Sequence, residues 1–506
     1  MEDIEEKTRQ QIVEGTKIKA NLVDYDLEYN YVLDFDATCS EIERIMEFDK
    51  KSMKQVYTIV SDFFLRHYHF KTIALEESSV CYVYNGGIYV QEAYTLVDRE
   101  TRRMLKEAYS GNSSNAVLAH IKAQTYIREE DFIVKNPLLL PVQNGILNVQ
   151  TRELMNYSHD YYFFKKLPVT YNPEAQCWTI GEFFDQVLPD INDVFLLQQI
   201  FGYCLFRDYN IHKFFVFSGY GRNGKGVTLN ILAKLLGSQN TTHHSLFKLS
   251  DGGFMASELF RKMANINADL PEGIIKDTGM LKQLCGGDRI TANRKFMTGI
   301  SFKNYAKLIF STNGMPQFHD TSEGWKKRWI LIEFKEQFFS ETEIKELEDE
   351  EQKGINIANP NLFDEITTEE NMSGLLNWAL DGLQTLFEDG AFTPSKSSAE
   401  AWRIIRMKGD PYSIFCEETL EEDSFKYVAK SALRVIYAKW CIKNGLPTKL
   451  VNKKLKDALE NLPFPVWEEQ RVEVNGERCW VGIKINEIKE KEKPNTPNTP
   501  KAPFLS

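Results

Sequence analysis

A short apolar run that ends in a glycine-rich loop is the feature of this sequence that most constrains its fold. The run Phe214–Phe217 leads into Gly219-Tyr-Gly-Arg-Asn-Gly-Lys225-Gly, and a helical pattern follows over Val227–Leu236. A fully apolar run of this length is typical of a strand buried in a parallel sheet. Strand and helix patterns alternate from here to Phe334, which is typical of an α/β domain. The sequence therefore predicts an α/β core with this loop following one of its buried strands.

The loop has the composition of a phosphate-binding loop. Glycines let backbone N–H groups face phosphate oxygens, a helix N-terminus favours negative charge, and a lysine reaches the β- and γ-phosphates of a nucleotide. The residues predicted to bind the nucleotide are Gly219, Gly221, Asn223, Gly224, Lys225, Gly226 and Val227. Gly226 stands where a Ser or Thr usually ligates Mg²⁺, and Thr228 is a doubtful substitute because it faces another side of the helix. A glycine-rich turn that binds nothing is the alternative.

Residues that would complete an ATPase site follow in a regular order. Asp269 comes 44 residues after Lys225, and Asn313 comes another 44 residues later, after the apolar strand pattern that begins at Leu308. Arg328 then precedes a further strand pattern, Trp329–Phe334. Such an enzyme needs acids that hold Mg²⁺ and activate water, and a polar group near the γ-phosphate. Each fragment alone is weak, since an Asp at a strand end is usually a cap and Asn-Gly is usually a turn, but their order favours the joint interpretation.

Positive charge is concentrated in two segments of a chain that is acidic as a whole. Lys and Arg number 61 against 72 Asp and Glu, a net charge of −11 that alone argues against a nucleic-acid partner. Residues 282–307, however, hold six basic side chains and one acid, and residues 426–456 hold nine and none. Clustered cations bind phosphate backbones, and an aromatic ring beside them suits base stacking. In the first segment the predicted DNA-binding residues are Lys282, Arg289, Arg294, Lys295 and Phe296. A solvated hairpin with incidental charge is the alternative.

The second basic segment has the element order of a winged helix. One helix is stopped by Gly445, a second begins with Thr448 as its N-cap, and a hairpin turns at Asn475-Gly476. In a winged helix the second of these helices faces DNA. Lys449, Lys453 and Lys456 are therefore predicted to bind duplex DNA, and a lysine-rich surface on a small packing domain is the alternative.

Several fragments together resemble the motif series of superfamily 3 helicases. They are Asn223-Gly-Lys225, Ala268-Asp-Leu-Pro-Glu272, Leu284-Cys-Gly-Gly-Asp288, Ser311-Thr-Asn313 and Lys327-Arg328. More narrowly they resemble the phage and plasmid primase-helicases and the related poxvirus-type proteins. Three upstream stretches are similar to the helical region that precedes the ATPase in that family: Asn144–Leu147, Leu167–Cys177 and Phe201-Gly202-Tyr203. The similarity spans roughly residues 80–485.

The resemblance implies an AAA+-like ATPase that acts as a DNA helicase in replication of a phage, plasmid or other mobile element. It implies that Asp269 binds Mg²⁺, that Glu272 orients the attacking water and that Asn313 senses the γ-phosphate. Arg328 would be the finger that reaches the ATP of a neighbouring subunit, in a homo-oligomeric ring that is hexameric in relatives. The segment 282–307 would line the central pore and contact single-stranded DNA. Asp269 stands where Glu is usual in the nearer relatives.

The predicted organisation has five parts. They are a mainly helical N-terminal domain (1–190), the superfamily 3 ATPase domain (191–340), an acidic and helical connector (341–400), a winged-helix-like domain (401–486) and a disordered tail (487–506). The acidic N-terminus, the lack of an 18-residue apolar run and cysteines without a CxxC pair predict a location in the host cytoplasm or nucleoid, without a membrane.

A motif of a different class lies near the N-terminus. Tyr31-Val-Leu-Asp34-Phe-Asp36 resembles the metal motif of the primases that precede this helicase in many relatives. The segment before the helicase region is too short for the core of a primase domain. We therefore expect Asp34 and Asp36 to be strand-end acids, and a separate primase or initiator is a candidate partner.

Two other functions stay open at this point. One is an ATP-regulated initiator that binds and melts an origin without processive unwinding. The other is an assembly factor with an inactive nucleotide site, which the missing hydroxyl at Gly226 suggests. DNA-dependent ATP turnover and strand separation distinguish the three.

Overall fold

The computed structural model describes most of the chain, in two compact units that meet between Tyr171 and Asn172. The described residues are 25–48, 52–74, 79–219, 221–251, 254–268, 274–275, 277–294, 297–313, 317–318, 320, 322–345, 356–395, 403, 407, 410–471 and 476–486. The boundary between the units therefore precedes the predicted one at residue 190. The predicted tail 487–506 lies outside the described residues. Within the described part, no helix combines the length and apolar character needed to cross a membrane.

The described residues of the first unit form helices and two small sheets. Its helices are α1 (Tyr25–Phe48), α2 (Met53–His67), α3 (Ala93–Leu105) and α4 (Gly111–Gln124), with 3₁₀ turns at Lys106–Ala108 and Glu129–Asp131. Its strands are β1 (Phe70–Ala74), β2 (Ser79–Asn85), β3 (Ile88–Val90), β4 (Tyr126–Ile127), β5 (Leu139–Val142), β6 (Gly145–Asn148) and β7 (Leu154–Met155). They form sheets of order β3-β2-β1-β4 and β5-β6-β7. The region is thus mixed rather than mainly helical, because short strands leave only weak periodic patterns in a sequence.

The acids of the primase-like motif lie on a helix, so the prediction that they end a strand is wrong. Asp34 is within α1, where one carboxylate oxygen accepts a hydrogen bond from Arg66 Nε at 3.1 Å and lies 2.6 Å from His67 Nε2. Both partners are in the last turn of α2. These contacts give Asp34 a structural role that joins two helices.

A five-stranded sheet forms the centre of the second unit. Its strands are β8 (Phe214–Ser218), β9 (Thr241–Thr242), β10 (Ala264–Asn267), β14 (Lys307–Thr312) and β16 (Trp329–Glu333), and their spatial order is β16-β8-β14-β10-β9. All the neighbours are parallel. The strands therefore end at a common edge, and ligands of such sheets bind in the crevice beyond the carboxyl ends, where the strand order reverses.

Helices and smaller strands surround this sheet. The helices are α5 (Trp178–Val187), α6 (Ile191–Leu205), α7 (Lys225–Leu236), α8 (Leu246–Ser250), α9 (Phe254–Ser257), α10 (Gly279–Gly286), α11 (Glu323–Lys326), α12 (Glu341–Lys345), α13 (Leu362–Ile366) and α14 (Glu369–Asp389), with a 3₁₀ turn at Ser238–Asn240. Paired short strands are β11 (Ile274–Ile275) with β15 (Gln317–Phe318), β12 (Arg289–Arg294) with β13 (Met297–Lys303), and β17 (Phe338–Phe339) with β18 (Asn356–Ile357).

Two glycines allow α6 and α14 to cross at close range. A Cβ atom at Gly202 would lie 2.3 Å from the carbonyl oxygen of Ala379, and one at Gly382 would lie 2.4 Å from that of Gln198. The Gln198 side chain donates to the Trp378 carbonyl at 3.0 Å across the same crossing. The helical part of the predicted connector 341–400 is thus packed into the second unit, because α14 is apolar on a broad face.

The C-terminal part of this unit has a hydrophobic core of its own. The element order is α15 (Pro411–Thr419), β19 (Leu420–Ala429), α16 (Lys430–Lys443), α17 (Asn452–Glu460), β20 (Trp467–Arg471) and β21 (Glu477–Ile485), with an antiparallel sheet of order β19-β21-β20. Phe415, Leu433, Tyr437 and Leu459 are buried together. The hairpin is present, although Asn475 of its predicted turn lies outside the described residues.

The second helix of this part begins later than predicted. Gly445 has φ +65° and follows the end of α16, as expected. The N-cap of α17 is Val451 and not Thr448. The Tyr412 hydroxyl accepts the Val451 backbone N–H at 2.9 Å, and this tertiary contact keeps the residues between Thr448 and Val451 out of the helix.

Gly202→Ala should destabilise the second unit because the added methyl group meets backbone atoms that cannot rotate away. We expect a loss of about 1–3 kcal/mol in the free energy of unfolding, the usual range for overpacking. Gly226→Ala is the matched control, since a Cβ there meets no atom within 4 Å and Ala favours a helix by up to about 1 kcal/mol. Denaturant unfolding without nucleotide gives both values. Equal losses in the two variants would contradict close packing at Gly202.

Candidate functional site

The glycine-rich loop follows β8 and opens α7. Gly219 has φ +144° and Gly224, the N-cap of α7, has φ +83°. A Cβ at Gly219 would lie 2.2 Å from the Phe334 carbonyl oxygen, and one at Gly224 would lie 2.4 Å from Val187 Cγ1. Both positions therefore need glycine for their backbone dihedrals and for the space around them. The helix begins at Lys225, two residues before the predicted start at Val227.

Lys225 joins the loop to the neighbouring strand of the sheet. Its side chain is buried, and its Nζ donates to the Gly219 carbonyl at 2.6 Å, to Asn223 Oδ1 at 3.1 Å and to Asn313 Oδ1 at 3.3 Å. Burial lowers the pKa of Lys225 to about 8. Because β14 lies next to β8, Asn313 at its end reaches the loop although it is 88 residues away in sequence. The structure thus brings together three residues that the sequence predicted for one site.

Asn223 also fastens the loop to the chain that follows β16. Its side-chain amide is buried and donates to the Phe334 carbonyl at 3.0 Å. The backbone N–H of Phe338 donates to the Arg222 carbonyl at 2.8 Å. The Arg222 side chain forms an ion pair with Glu343 of α12. Arg222 was not assigned a role from the sequence, although a basic side chain inside a phosphate-binding loop could have drawn attention to it.

There is free space for a side chain at Gly226, and the hydroxyl of Thr228, the nearest substitute for a Ser or Thr there, is hydrogen-bonded to another group. A Cβ at Gly226 would meet no atom within 4 Å, so a Ser or Thr side chain fits there. Thr228 is fully buried, and its hydroxyl donates to the Gly224 carbonyl at 3.1 Å. The doubt about Thr228 as a metal ligand is therefore justified by its geometry.

The described residues fit a triphosphate better than they fit a metal ion. Glycine backbone, a helix N-terminus and a buried lysine meet at one edge, whereas the side-chain oxygens of Asn223, Asn313 and Thr228 already accept or donate hydrogen bonds. Asp269 and Glu272, predicted to bind Mg²⁺ and to orient water, lie outside the described residues. The strand before them, β10, ends at Asn267.

Of the other two positions predicted to bind the nucleotide, Gly221 is exposed, with no atom within 4 Å of an added Cβ, and Val227 is half-buried on the first turn of α7.

Arg328 contacts a different part of the unit from Lys225. One guanidinium nitrogen donates to Cys285 Sγ at 3.7 Å, at the end of α10. Its Nε is buried and has no hydrogen-bond partner among the described residues. Its backbone carbonyl accepts the Phe214 N–H at 2.8 Å, which fixes the residue beside β8. The role as a finger stays a prediction.

The predicted pore segment contains the end of α10 and the β12–β13 hairpin, but several of its cations are engaged within the protein. Lys307 is buried, and its ammonium group donates to the carbonyls of Phe206, Asp208 and Tyr305. Lys303 pairs with Asp208 at 2.6 Å, and Lys282 pairs with Asp320. The sequence count therefore overstates the positive charge offered to DNA.

The remaining basic residues of this segment differ in exposure. Arg289 is exposed, whereas Arg294 is half-buried with its guanidinium 5.3 Å from the centre of the Phe260 ring. Lys295 and Phe296 lie outside the described residues.

The lysines predicted to bind duplex DNA are on one exposed element. Lys449 is in the loop before α17, and Lys453 and Lys456 are on that helix, all three exposed. Leu455 and Leu459 of the same helix are buried in the core. The helix is thus amphipathic, with its cations toward solvent.

Two protein families match separate parts of the chain. Residues 61–191 match a family described as D5 N terminal like. Residues 217–328, which contain the glycine-rich loop, match a family of unknown function, DUF5906.

Two curated viral relatives carry helicase names. Putative helicase 121R of Invertebrate iridescent virus 3 is 22% identical over 306 residues, which are 56% of this chain and 32% of that protein. Putative helicase L207/L206 of Acanthamoeba polyphaga mimivirus is 26% identical over 170 residues, which are 32% of this chain and 18% of that protein. The chain therefore spans a third or less of the length of these relatives. With the D5 N terminal like match, they support a relationship to D5-like primase-helicases.

Among solved structures, the chain is similar to the A form apo structure of the NrS-1 C terminal region. The TM-score is 0.44 at 11% identity, over 84% of this chain and 99% of that one. A second structure of that region, residues 305–718, gives a TM-score of 0.43 at 12% identity, over 84% of this chain and 98% of that one.

Binding of a triphosphate should take up a proton at alkaline pH. With a pKa of about 8 for Lys225, the free lysine is largely charged at pH 7 and largely neutral at pH 9, whereas a bound polyanion favours the charged form. We expect uptake of about 0.1 proton at pH 7 and about 0.9 at pH 9. Calorimetry of ATP binding in buffers of different ionisation enthalpy measures both values. Equal uptake at the two pH values would contradict a lowered pKa, and Lys225→Ala should abolish the difference.

Proposed function

We propose that this protein is an ATP-dependent DNA helicase of the superfamily 3 type that acts in replication of a virus, phage, plasmid or other mobile element. The observation that carries the proposal is the convergence of Lys225, Asn223 and Asn313 where two parallel strands end. The helicase names of the two viral relatives and the D5 N terminal like match support the same class of activity.

The strand order supports a P-loop ATPase core of the AAA+ type. The loop-bearing strand β8 has β14 on one side and β16 on the other, and β14 separates it from β10. This order places the loop, Asn313 and the chain that leads to Asp269 at successive positions along one edge. A nucleoside triphosphate fits this edge, because its phosphates require the positive charge and backbone donors that meet there, and ATP is the member of that class that we propose.

Each residue of the site then has a role in hydrolysis. The Lys225 ammonium stabilises negative charge that develops on the phosphates, and Asn313 keeps that ammonium at the sheet edge. Asp269 would hold Mg²⁺, which neutralises phosphate charge when it is bound with ATP, and Glu272 would orient water. Arg328 would complete the site of a neighbouring subunit, so the active form is a ring.

The C-terminal elements support a winged helix. One helix, one strand, two helices and a hairpin follow in the order of that module, and the exposed lysines of α17 lie on the helix that would face duplex DNA. The hairpin β12–β13 would contact single-stranded DNA in the ring. Each surface offers cations to phosphate backbones.

A second candidate is an assembly factor with an inactive nucleotide site. Gly226 favours it, because the usual hydroxyl ligand of Mg²⁺ is missing and Thr228 does not replace it. The two functions differ in one measurable property, which is ATP turnover that depends on DNA.

Mixed rings test the shared site. Lys225→Ala and Arg328→Ala should each abolish turnover, while Arg328→Ala keeps ATP binding because the guanidinium acts across an interface. Mixing the two variants should restore part of the activity, since some interfaces then receive both intact residues. Thr228→Val is the matched control and should keep turnover, because the contact of its hydroxyl in the described part of the chain is with the Gly224 carbonyl of the helix backbone. If mixed rings form without any recovery, the ATP site is not shared, and loss of turnover in Thr228→Val would make that residue a metal ligand.

The surface around α17 and the β12–β13 hairpin should differ in the kind of DNA that each one binds. Glu substitutions at Lys449, Lys453 and Lys456 should weaken duplex binding and flatten its salt dependence, because phosphate contacts release counterions. Glu substitutions at the exposed Lys426, Lys439 and Lys443 change the net charge equally and serve as the control. Arg289→Ala should instead reduce single-strand binding and unwinding of a forked duplex. Equal losses of duplex affinity in the two triple Glu variants would mean that net charge alone, and not the surface of α17, governs duplex binding.

A further inference from the structure

Phe260, a residue that the sequence did not single out, contacts both strands of the β12–β13 hairpin. It lies in the turn between α9 and β10. The Arg294 guanidinium of β12 is 5.3 Å from the centre of its ring, within the range of a cation–π interaction. The same ring packs edge-on against Phe302 of β13, with ring centres 5.3 Å apart. A displacement of either strand would therefore change a contact of this side chain.

Arg289 and Arg294 of the hairpin differ in burial and therefore in the groups that they can contact. Residues along β12 alternate, with Arg289 and Thr291 exposed and Ile290 and Ala292 buried. The pairing register shifts between Ala292 and Arg294, and Arg294 is half-buried against the ring. An exposed guanidinium such as that of Arg289 suits a phosphate contact. A guanidinium over an aromatic ring suits attachment of the hairpin to its neighbour.

The turn that contains Phe260 leads into β10 through a residue whose backbone is hydrogen-bonded on both sides. The Met263 N–H donates to the Asn240 carbonyl at 2.7 Å, and the Met263 carbonyl accepts the Lys307 N–H at 2.9 Å. Strand β10 begins at the next residue and ends at Asn267, two positions before Asp269 in the sequence. Backbone bonded on both sides therefore connects the Phe260 ring to the strand that precedes the predicted catalytic acid.

We propose that Phe260 and Arg294 form a joint that transmits the binding of single-stranded DNA from the hairpin to the nucleotide site. In this joint Arg294 is a positioning residue, and Arg289 makes the phosphate contact. The proposal rests on the proposed function, and it departs from the sequence-based assignment of Arg294 to the DNA-binding set. The physical link among the described residues runs from the hairpin through Phe260 to β10, from β10 to its neighbour β14, and from Asn313 after β14 to Lys225 of the loop. The coupling along this link has to be measured.

The test compares Phe260→Leu, which removes the ring but keeps apolar bulk, with Phe260→Tyr, which keeps the ring. Phe260→Leu should leave basal ATP turnover unchanged and lower the ratio of DNA-stimulated to basal turnover about twofold to fivefold, as expected for a lost cation–π contact. Phe260→Tyr should keep the wild-type ratio. Arg294→Ala should lower the ratio by a similar factor, and the double variant should fall no further than the worse single variant.

Salt dependence of single-strand binding separates a joint from a phosphate contact. Arg289→Ala should reduce the slope of log affinity against log salt by about 0.7, the value for one phosphate on a single strand. Phe260→Leu and Arg294→Ala should leave the slope unchanged. An equal reduction in Arg294→Ala would make Arg294 a DNA contact and overturn the proposal, as would additive losses in the double variant.

A measurement without nucleotide keeps the proposal independent of the ATPase assignment. Phe260→Leu should increase amide hydrogen exchange in residues 289–303 over wild type, and Phe260→Tyr should not. Wild-type protein without DNA-stimulated turnover would overturn the proposed function and this coupling, whereas unchanged exchange in Phe260→Leu would overturn the joint alone. If Phe260→Leu does not fold, Phe260→Met carries the same comparison.

Discussion

The second unit depends on the parallel arrangement of five strands whose carboxyl ends share one edge. Strand β8 is buried along almost its whole length, so its backbone is fixed on both sides by β14 and β16. Parallel strands need long crossover connections, and these connections supply the helices and the hairpin around the sheet. Residues that are far apart in the sequence therefore meet at one place without any local signal.

Buried lysines in this unit show how the same residue type takes different roles. Lys225 and Lys307 are both removed from water, and burial lowers the pKa of Lys307 to about 7. Lys307 donates to three carbonyls and lies 4.3 Å from the centre of the Tyr203 ring. Two of these carbonyls, those of Phe206 and Asp208, follow the end of α6, where a positive charge is favourable. Lys225 instead points toward the glycine-rich loop, where its ammonium group donates to the Gly219 carbonyl. The groups that surround the ammonium, and not residue identity or burial, separate an architectural cation from one suited to a ligand.

The loop itself is held from two directions by parts of the chain outside the central strands. Val187 of α5 lies against Gly224, and the chain after β16 accepts a hydrogen bond from Asn223. A phosphate-binding loop must keep its N–H groups preorganised, since ordering them during binding would reduce affinity. A helix before the sheet and the segment after it therefore help to hold the loop of the candidate site in place.

Local patterns in the sequence determined the elements next to the glycine-rich loop and the identity of the loop. An apolar run before glycines predicted β8, the helical pattern after the loop predicted α7, and Gly445 predicted the end of α16, because each pattern reflects interactions within a few residues. Only the tertiary structure decided which cations are available. Lys307 and Lys303 are close to Arg289 in the sequence, yet one is buried, one is ion-paired and one is exposed. The start of α17 at Val451 and the contact of Arg294 with Phe260 were likewise set by groups distant in the chain. Burial and pairing are properties of what packs against a residue, and a linear pattern does not contain that information.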